Sequence, residues 1–561
     1  MPEVKETEKK RRSREEIAER IDAFEKAHQH NPSERQLAEE LGIPRSTLQH
    51  WLKRKDGIEA EPEVVAFFES SAGVAFLHRL VLAAHFVMTL VGPCGIRLVC
   101  LFLELTGLDQ FVAASYGPQQ KVSAAMEKAV VEFGQEERPR LAVGMAPQQI
   151  VVCEDETFHP ETCLVAIEPI SNFILLEKYA DSRTAQEWTK AMTTAMAGLP
   201  LEIIQSTTDE SRGLLHHVKE ELGAHHSPDV FHVQNELVKG TSGALASRKR
   251  QAEKAVAEAT KQVSRYEAYL QDKGDAGGSP ELDQQIEQAK KQEREARQVL
   301  ETATTQQERV QKAVQGISAA YHPYDLETGA AQSPEEVTAS IQQHFSAIEA
   351  VAAETNLPER CVKRIKKAKR VVVEMIATVA FFFLTVRAKV EALSLAPEVE
   401  QAVYDSLIPA IYLHLVSEKV QDTQQRHKLQ RRSEALLIPL LAESGPFCDL
   451  GKEDRVVIEM VAQECAHLFQ RSSSCVEGRN GQLALRHHSL HRISDRKLAA
   501  LTTVHNYFVK RSDSTTAAER FFGTKPRGLF EWLLEQVDLP GRPAKKRSQP
   551  KRKEFLAQAA A

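Results

Sequence analysis

The apolar and polar positions divide the chain into a helical front, a short β-rich block and a long helical remainder. In 149–156, QIVVCEDE, β-branched residues run together with nothing polar between them. That pattern predicts a strand buried on both faces, and it ends in three acids. Apolar runs at 162–168 and 172–179 flank Pro169-Ile170-Ser171 and predict a hairpin. An amphipathic helix over 184–199, a strand over 201–206, a helix reaching Gly223 and a last strand over 230–233 complete the block. The order is β-β-β-α-β-α-β, with acids closing the first and fourth strands. If those strands are neighbours, Asp155 and Asp209 come within reach of one ion. Carboxylates at the edge of an apolar sheet are costly to desolvate unless a cation or donor compensates them, so this edge is a candidate metal site.

In the front region, 31–36 (NPSERQ) predicts a helix start with Ser33 as N-cap and Gln36 as the reciprocal cap. Leu37, Ala38, Leu41, the turn residue Gly42 and Ile43 follow. A second helix then runs from Pro44 to the basic Lys53-Arg54-Lys55. This is the spacing of a helix-turn-helix, whose second helix would present Arg45, Ser46, Thr47, Gln49 and His50 to a DNA major groove. An ordinary helical hairpin with a solvated basic end is the competing reading. Residues 61–145 are helical and read equally as a second DNA-binding domain or as a bundle joining the first domain to the next.

After the block, apolar residues recur at alternating spacings of three and four. One arm carries Ala252, Val256, Ala259, Val263, Tyr266 and Leu270, and a second runs from Leu282 through Ile286 and Ala289 to Val310 and Val314. GDAGGSP at 274–280 separates them, which predicts an antiparallel coiled-coil hairpin. Its mixed-sign polar face argues for a strut or a dimerisation surface and against phosphate binding. A basic run at 363–370 precedes an apolar helix at 371–386, and the tail at 541–554 (GRPAKKRSQPKRKE) reads as disordered, with non-specific attraction to phosphate.

Composition narrows this picture. At 561 residues the chain holds several domains, and its formal net charge of −6 places any DNA contact in local patches. Eight cysteines without a CxxC pair fit reduced thiols in a cytosolic protein. The N-terminus has no apolar core and does not read as a signal peptide. Two apolar segments, 74–91 and 371–386, read as buried helices, with no membrane association. The first carries His78, Arg79 and His85, and the second contains Glu374 and is shorter than the ~20 residues a span needs. The histidines lack the tight spacing of a zinc site.

The β-rich block resembles the ribonuclease-H-like catalytic core of DDE transposases of bacterial insertion sequences. In that family the first Asp lies on the first strand, the second just after the fourth, and a Glu on a later helix. The matching positions are Asp155, Asp209 and Glu477. The last lies in RSSSCVEGRNGQL (471–483), where Asn480 follows it closely. HNYF (505–508) and TAAERFFGTKPRGLFEWL (516–533) also resemble the family's tail. The Y-R-E-K signature of one large branch is absent, because Ala484 stands where its Lys would be; this sets the chain outside that branch.

The resemblance covers most of 146–239 and 465–535. It implies an α/β fold with a ribonuclease-H-like mixed sheet. The divisions are a helix-turn-helix domain (1–60), a helical domain (61–145), the first part of the core (146–239), a helical insertion (240–464), the end of the core (465–535) and the basic tail (536–561). It further implies an enzyme that cuts and joins double-stranded DNA at element ends. Two magnesium ions, or manganese in their place, would be held by Asp155, Asp209 and Glu477, with His232 and Asn480 beside them. A homodimer or larger assembly on DNA, in the bacterial cytoplasm at the nucleoid, goes with that activity. The bland readings make Asp209 a helix cap near Ser211 and His232 a core or surface histidine. Strand alternation sends Glu154 and Glu156 to the face opposite Asp155. A transposase-derived DNA-binding protein without catalysis and a nuclease without strand transfer are the alternatives.

Overall fold

The computed structural model describes residues 14–29, 33–158, 161–273, 279–490 and 492–543. It is a mixed α/β protein, mostly helical, built around one five-stranded sheet. The strands are β1 (Gln148–Phe158), β2 (Thr162–Glu168), β3 (Phe173–Ala180), β4 (Leu201–Thr208) and β5 (His225–Pro228). Their spatial order is β3-β2-β1-β4-β5. β2 pairs antiparallel with β1 and β3, whereas β4 runs parallel to β1 and to β5. The run Val151-Val152-Cys153 is fully buried because helices cover both faces of the sheet. Val152 joins a core with Trp188, Met126 and Phe133, while Val151 joins the core of the long helical region.

The hairpin between β2 and β3 turns through Asn172 at φ 62°, a left-handed conformation that Asn tolerates. The helix Ala185–Met196 follows, capped by Thr184, whose side chain accepts from the Glu187 amide.

The expected last strand at 230–233 is not a strand. β5 lies earlier, and the chain from Val230 is the first turn of the helix Val230–Lys273. The cause is Asp229: its Oδ1 accepts the Phe231 amide at 2.7 Å, an N-cap that starts a helix over residues whose β-branched and aromatic character favours a strand. His232 therefore sits on a helix.

The two arms Val230–Lys273 and Pro280–Ala320 form the antiparallel hairpin, with Ala252, Val263, Ile286, Ala289, Val310 and Val314 buried between them. A helix of 44 residues is about 66 Å long, so the hairpin projects well beyond the sheet. Residues 274–278 of its connection lie outside the described residues.

At the front, the helices Arg14–His28, Glu34–Glu40 and Arg45–Lys55 enclose Phe24, Leu37, Ile43 and Leu48. Ser33 caps the second helix, and Gly42 turns the chain at φ +61°. Two helices, Ser71–Val91 and Glu359–Glu391, are long and apolar enough to cross a membrane by length and composition alone. The first is 56% buried and leaves Phe76 and Val87 exposed at 50% and 57%. The second leaves Val373 and Leu384 exposed at 74% and 66%, so its outer face is apolar but uncovered. The start of the basic tail is docked: Gly541 accepts the Ala113 amide at 2.9 Å, and Arg542 pairs with Glu69. Its remainder, from residue 544, lies outside the described residues.

Candidate metal centre

Register alone places three aspartates together. Cys153 on β1 pairs with Thr207 on β4, which pairs with Ser227 on β5. Two residues further along each chain come Asp155, Asp209 and Asp229. All three thus lie at one end of the sheet, where α/β sheets place their ligands: Asp155 and Asp209 line one cleft, and Asp229 is turned to Phe231, His232 and Ser473.

Glu477 reaches the same place from a helix, Ser474–Leu490. The segment before that helix is laid across the strand ends. Gln205 donates to the Leu468 carbonyl at 3.3 Å, Ser227 Oγ to Gln470 at 3.1 Å, and the Val230 amide to Arg471 at 2.9 Å. Asp229 Oδ2 accepts from the Ser473 amide at 3.1 Å and from its hydroxyl at 2.5 Å. The same aspartate thus caps the helix from Val230 and holds Ser473, the residue before the helix that carries Glu477.

Two residues past Glu477, the Arg479 guanidinium grips Glu177 of β3 with two bonds of 2.7 and 2.6 Å. Both side chains are buried, at 5% and 0% exposure. Two parallel N–H···O bonds fix orientation as well as distance, so the ion pair locks the rotation of the helix that carries Glu477.

The result is a cleft of about 1030 Å³ bordered by Asp155, Asp209, Glu477, His232, Asn480 and Asn235. All three predicted catalytic acids line it, as do both predicted neighbours. Asp209 also serves as the local turn anchor that the bland reading foresees, since its Oδ1 accepts the Ser211 amide at 2.9 Å.

Of the two flanking glutamates, Glu154 turns away as alternation requires and is buried against Ser206 and His217. Glu156 departs from that expectation. It receives Trp188 Nε1 at 3.1 Å and Arg183 at 3.4 Å, yet it borders the cleft, because β4 ends at Thr208 and leaves the edge of β1 open beyond it.

The electrostatics of the cleft are those of acids short of a cation. Burial pushes the Asp155 carboxyl up to about 7, with the negative charges of Asp209 and Glu156 adding to it. Burial also raises Glu477, and Asp229 adds its repulsion. His232 is the compensating charge: its bond to Asp229 lifts the imidazole to about 9, assisted by Asp155 and Asp209. Burial would raise Asp229, but bonds from His232 and Ser473 outweigh it and hold that carboxyl low.

Donor atoms of Asp229, His232 and Glu477 all lie within 4.8 Å of one another. Among the described residues, the buried Asn480 Oδ1 has no hydrogen-bond partner. The cluster offers two carboxylates and an imidazole, and Asn480 lines the same cleft.

Sequence reasoning missed Asp229, Arg479 and Ser473. The first had a signal: Ser-Pro-Asp ahead of an apolar run can open a helix as well as a strand. The family-tail motifs prove to be fastenings. The Asn506 side chain pairs with both the amide and the carbonyl of Ile174 at 2.9 and 3.0 Å, and Phe521 stacks on Phe173 at 4.4 Å.

A family model described as a family of unknown function (DUF6399) matches residues 403–549, a stretch that includes Glu477, Arg479 and Asn480. No curated protein matches the chain.

Proposed function

We propose that the protein is a metal-dependent polynucleotidyl transferase acting on double-stranded DNA, a DDE transposase with a ribonuclease-H-like core. The observation that carries this reading is the convergence of Asp155, Asp209 and Glu477 on one cleft from two parallel strand ends and a distant helix. That is the placement the resemblance implied: first strand, just after the fourth, and later helix. Asp155, Asp209 and Glu477 would hold the ions, with Asp229 close by. When bound there, divalent ions lower the pKa of a water and stabilise the leaving oxygen of a phosphodiester.

The chain's own groups do the rest. Asp229 and Arg479 orient Glu477, and the His232 imidazolium balances the acids. Arg45, Ser46, Gln49 and His50 are exposed on the third front helix, as a DNA-reading face requires, and Arg45 and Gln49 rest against Glu34 at 3.3 and 3.1 Å.

A supercoiled plasmid incubated with the chain and Mg²⁺ or Mn²⁺ tests the proposal. Nicking should require metal. Asp155→Asn, Asp209→Asn and Glu477→Gln should each reduce it by more than about a hundredfold without weakening DNA binding. Retained nicking in one variant removes that residue from the centre. DNA binding without nicking by the unmodified chain favours the non-catalytic alternative, and nicking without joining of the 3′-hydroxyl to a target favours the nuclease.

A further inference from the structure

A second cleft, of about 810 Å³, opens at the base of the hairpin. Lys239, Arg248 and Arg250 line it from the helix Val230–Lys273, and Arg360 and Arg364 from the helix Glu359–Arg370. We propose that this groove binds the phosphate backbone of duplex DNA and continues the substrate path away from the metal centre. The inference shares with the proposed function only the identity of the ligand.

The two clefts are joined by one helix. Asn235 borders the metal centre and Lys239 borders the groove, one helical turn and about 6 Å further along. From Lys239 to Gln251 the groove follows the helix for about 18 Å, the span of roughly five phosphates on one strand.

Charge points the same way. Among the described residues, no carboxylate lines the groove. On the two helices that form it, Glu236 pairs with Arg364 at 3.0 Å and Lys367 at 4.0 Å, and Glu359 pairs with Lys363 at 2.9 Å. Among the described residues, Lys239, Arg248, Arg250 and Arg360 have no ion-pair partner, in a chain whose overall charge is negative. Unpaired cations crowded into a concave surface repel one another unless a polyanion enters. The mixed charge of the hairpin belongs to its outer arms; its base is basic.

Two glycines on the same helix separate packing from function. Gly240 is required by its neighbour, since a Cβ there would lie 3.2 Å from Arg364 Cβ and 3.3 Å from the Cys361 carbonyl. Gly243 lines the groove, and a Cβ there would meet nothing within 4 Å. A helix-interior glycine costs about 1 kcal/mol relative to alanine, and here no protein contact explains it. It leaves a bare backbone floor where another chain can approach closely. No aromatic side chain lines the groove, so it lacks the stacking platform of a single-strand or nucleotide site.

The test uses the full chain and a fluorescein-labelled duplex of about 30 base pairs, with binding read by anisotropy over a salt series. Each lost phosphate contact lowers the slope of log K against log salt by about 0.9, so R248Q/R360Q should flatten it by about 1.8 and weaken binding about tenfold. Gly243→Glu, which brings a carboxylate onto the floor at a position where a Cβ meets nothing within 4 Å, should weaken it as well. Both variants should retain Mn²⁺ binding at the centre. Unchanged slope and affinity in both variants, or no duplex binding by the unmodified chain, overturns the groove. If the variants behave as expected but no Mn²⁺ binds the unmodified chain, the groove stands and the metal centre falls.

Discussion

Asp155 sits among acids, with the His232 imidazolium opposing them. Its carboxyl is held away from water with an acid neighbour on either side, and its pKa stands near 7 instead of 3.8. A divalent ion held by Asp155 would therefore have to displace a proton at and below neutral pH. Mn²⁺ affinity measured by titration calorimetry should rise about tenfold per pH unit up to about 7 and level off above it. In Asp155→Asn the residual affinity should lose that dependence. The same shift governs stability without metal. The folded state holds the Asp155 proton more tightly than the unfolded state, so stability falls as pH rises from about 4 to about 7. Asp155→Asn should then melt at a higher temperature than the parent chain at pH 8 in chelator. A lower melting temperature would mean the carboxylate already has a compensating partner. Asp155 and Asp209 were legible in the sequence because each closes an apolar run. Asp229 was not, because the residues after it have strand character and only its capping bond makes them a helix.

A helix that arrives some 250 residues after β5 carries Glu477, and nothing in the spacing of its own residues says where it docks. Its position is set by side chains that reach other elements: Arg479 to Glu177, Ser473 to Asp229 and Arg486 to the carbonyls of Leu90 and Gly92. Removing one member of a buried ion pair leaves its partner charged and unpaired. Arg479→Ala should therefore destabilise the fold by about 3–5 kcal/mol in denaturant unfolding. Arg479→Lys should recover part of that stability while losing cleavage, since a point charge cannot reproduce the two-pronged grip. Equal cleavage by the lysine variant would mean that the orientation of Glu477 is fixed elsewhere. At the front, the cap at Ser33 and the turn at Gly42 were readable because both rest on local chemistry. Arg45→Ala should weaken sequence-specific DNA binding by about tenfold, as loss of one strong base or phosphate contact does, and leave Mn²⁺ affinity unchanged. Unchanged DNA binding would return the front helices to the plain hairpin reading.

Across the whole molecule, the basic and acidic surfaces stand apart. The exposed faces of the front helices, the acidic cleft at the sheet edge and the basic groove at the hairpin base are separate surfaces, and one helix joins the last two. The alternating pattern of Val256, Val263, Ile286 and Val310 was enough to foresee the hairpin, because a seam of this kind is written in a single local period. Its basic base was hidden, since Lys239 and Arg360 are separated by more than a hundred residues and meet only through tertiary packing. The central claim is that the acids of β1, β4 and the Glu477 helix form one metal centre. Anomalous diffraction at the manganese edge from crystals soaked in Mn²⁺ tests it most directly. The account predicts two peaks about 3.5–4 Å apart, ligated by Asp155, Asp209 and Glu477. Peaks elsewhere, or an empty cleft at saturating Mn²⁺, would contradict it.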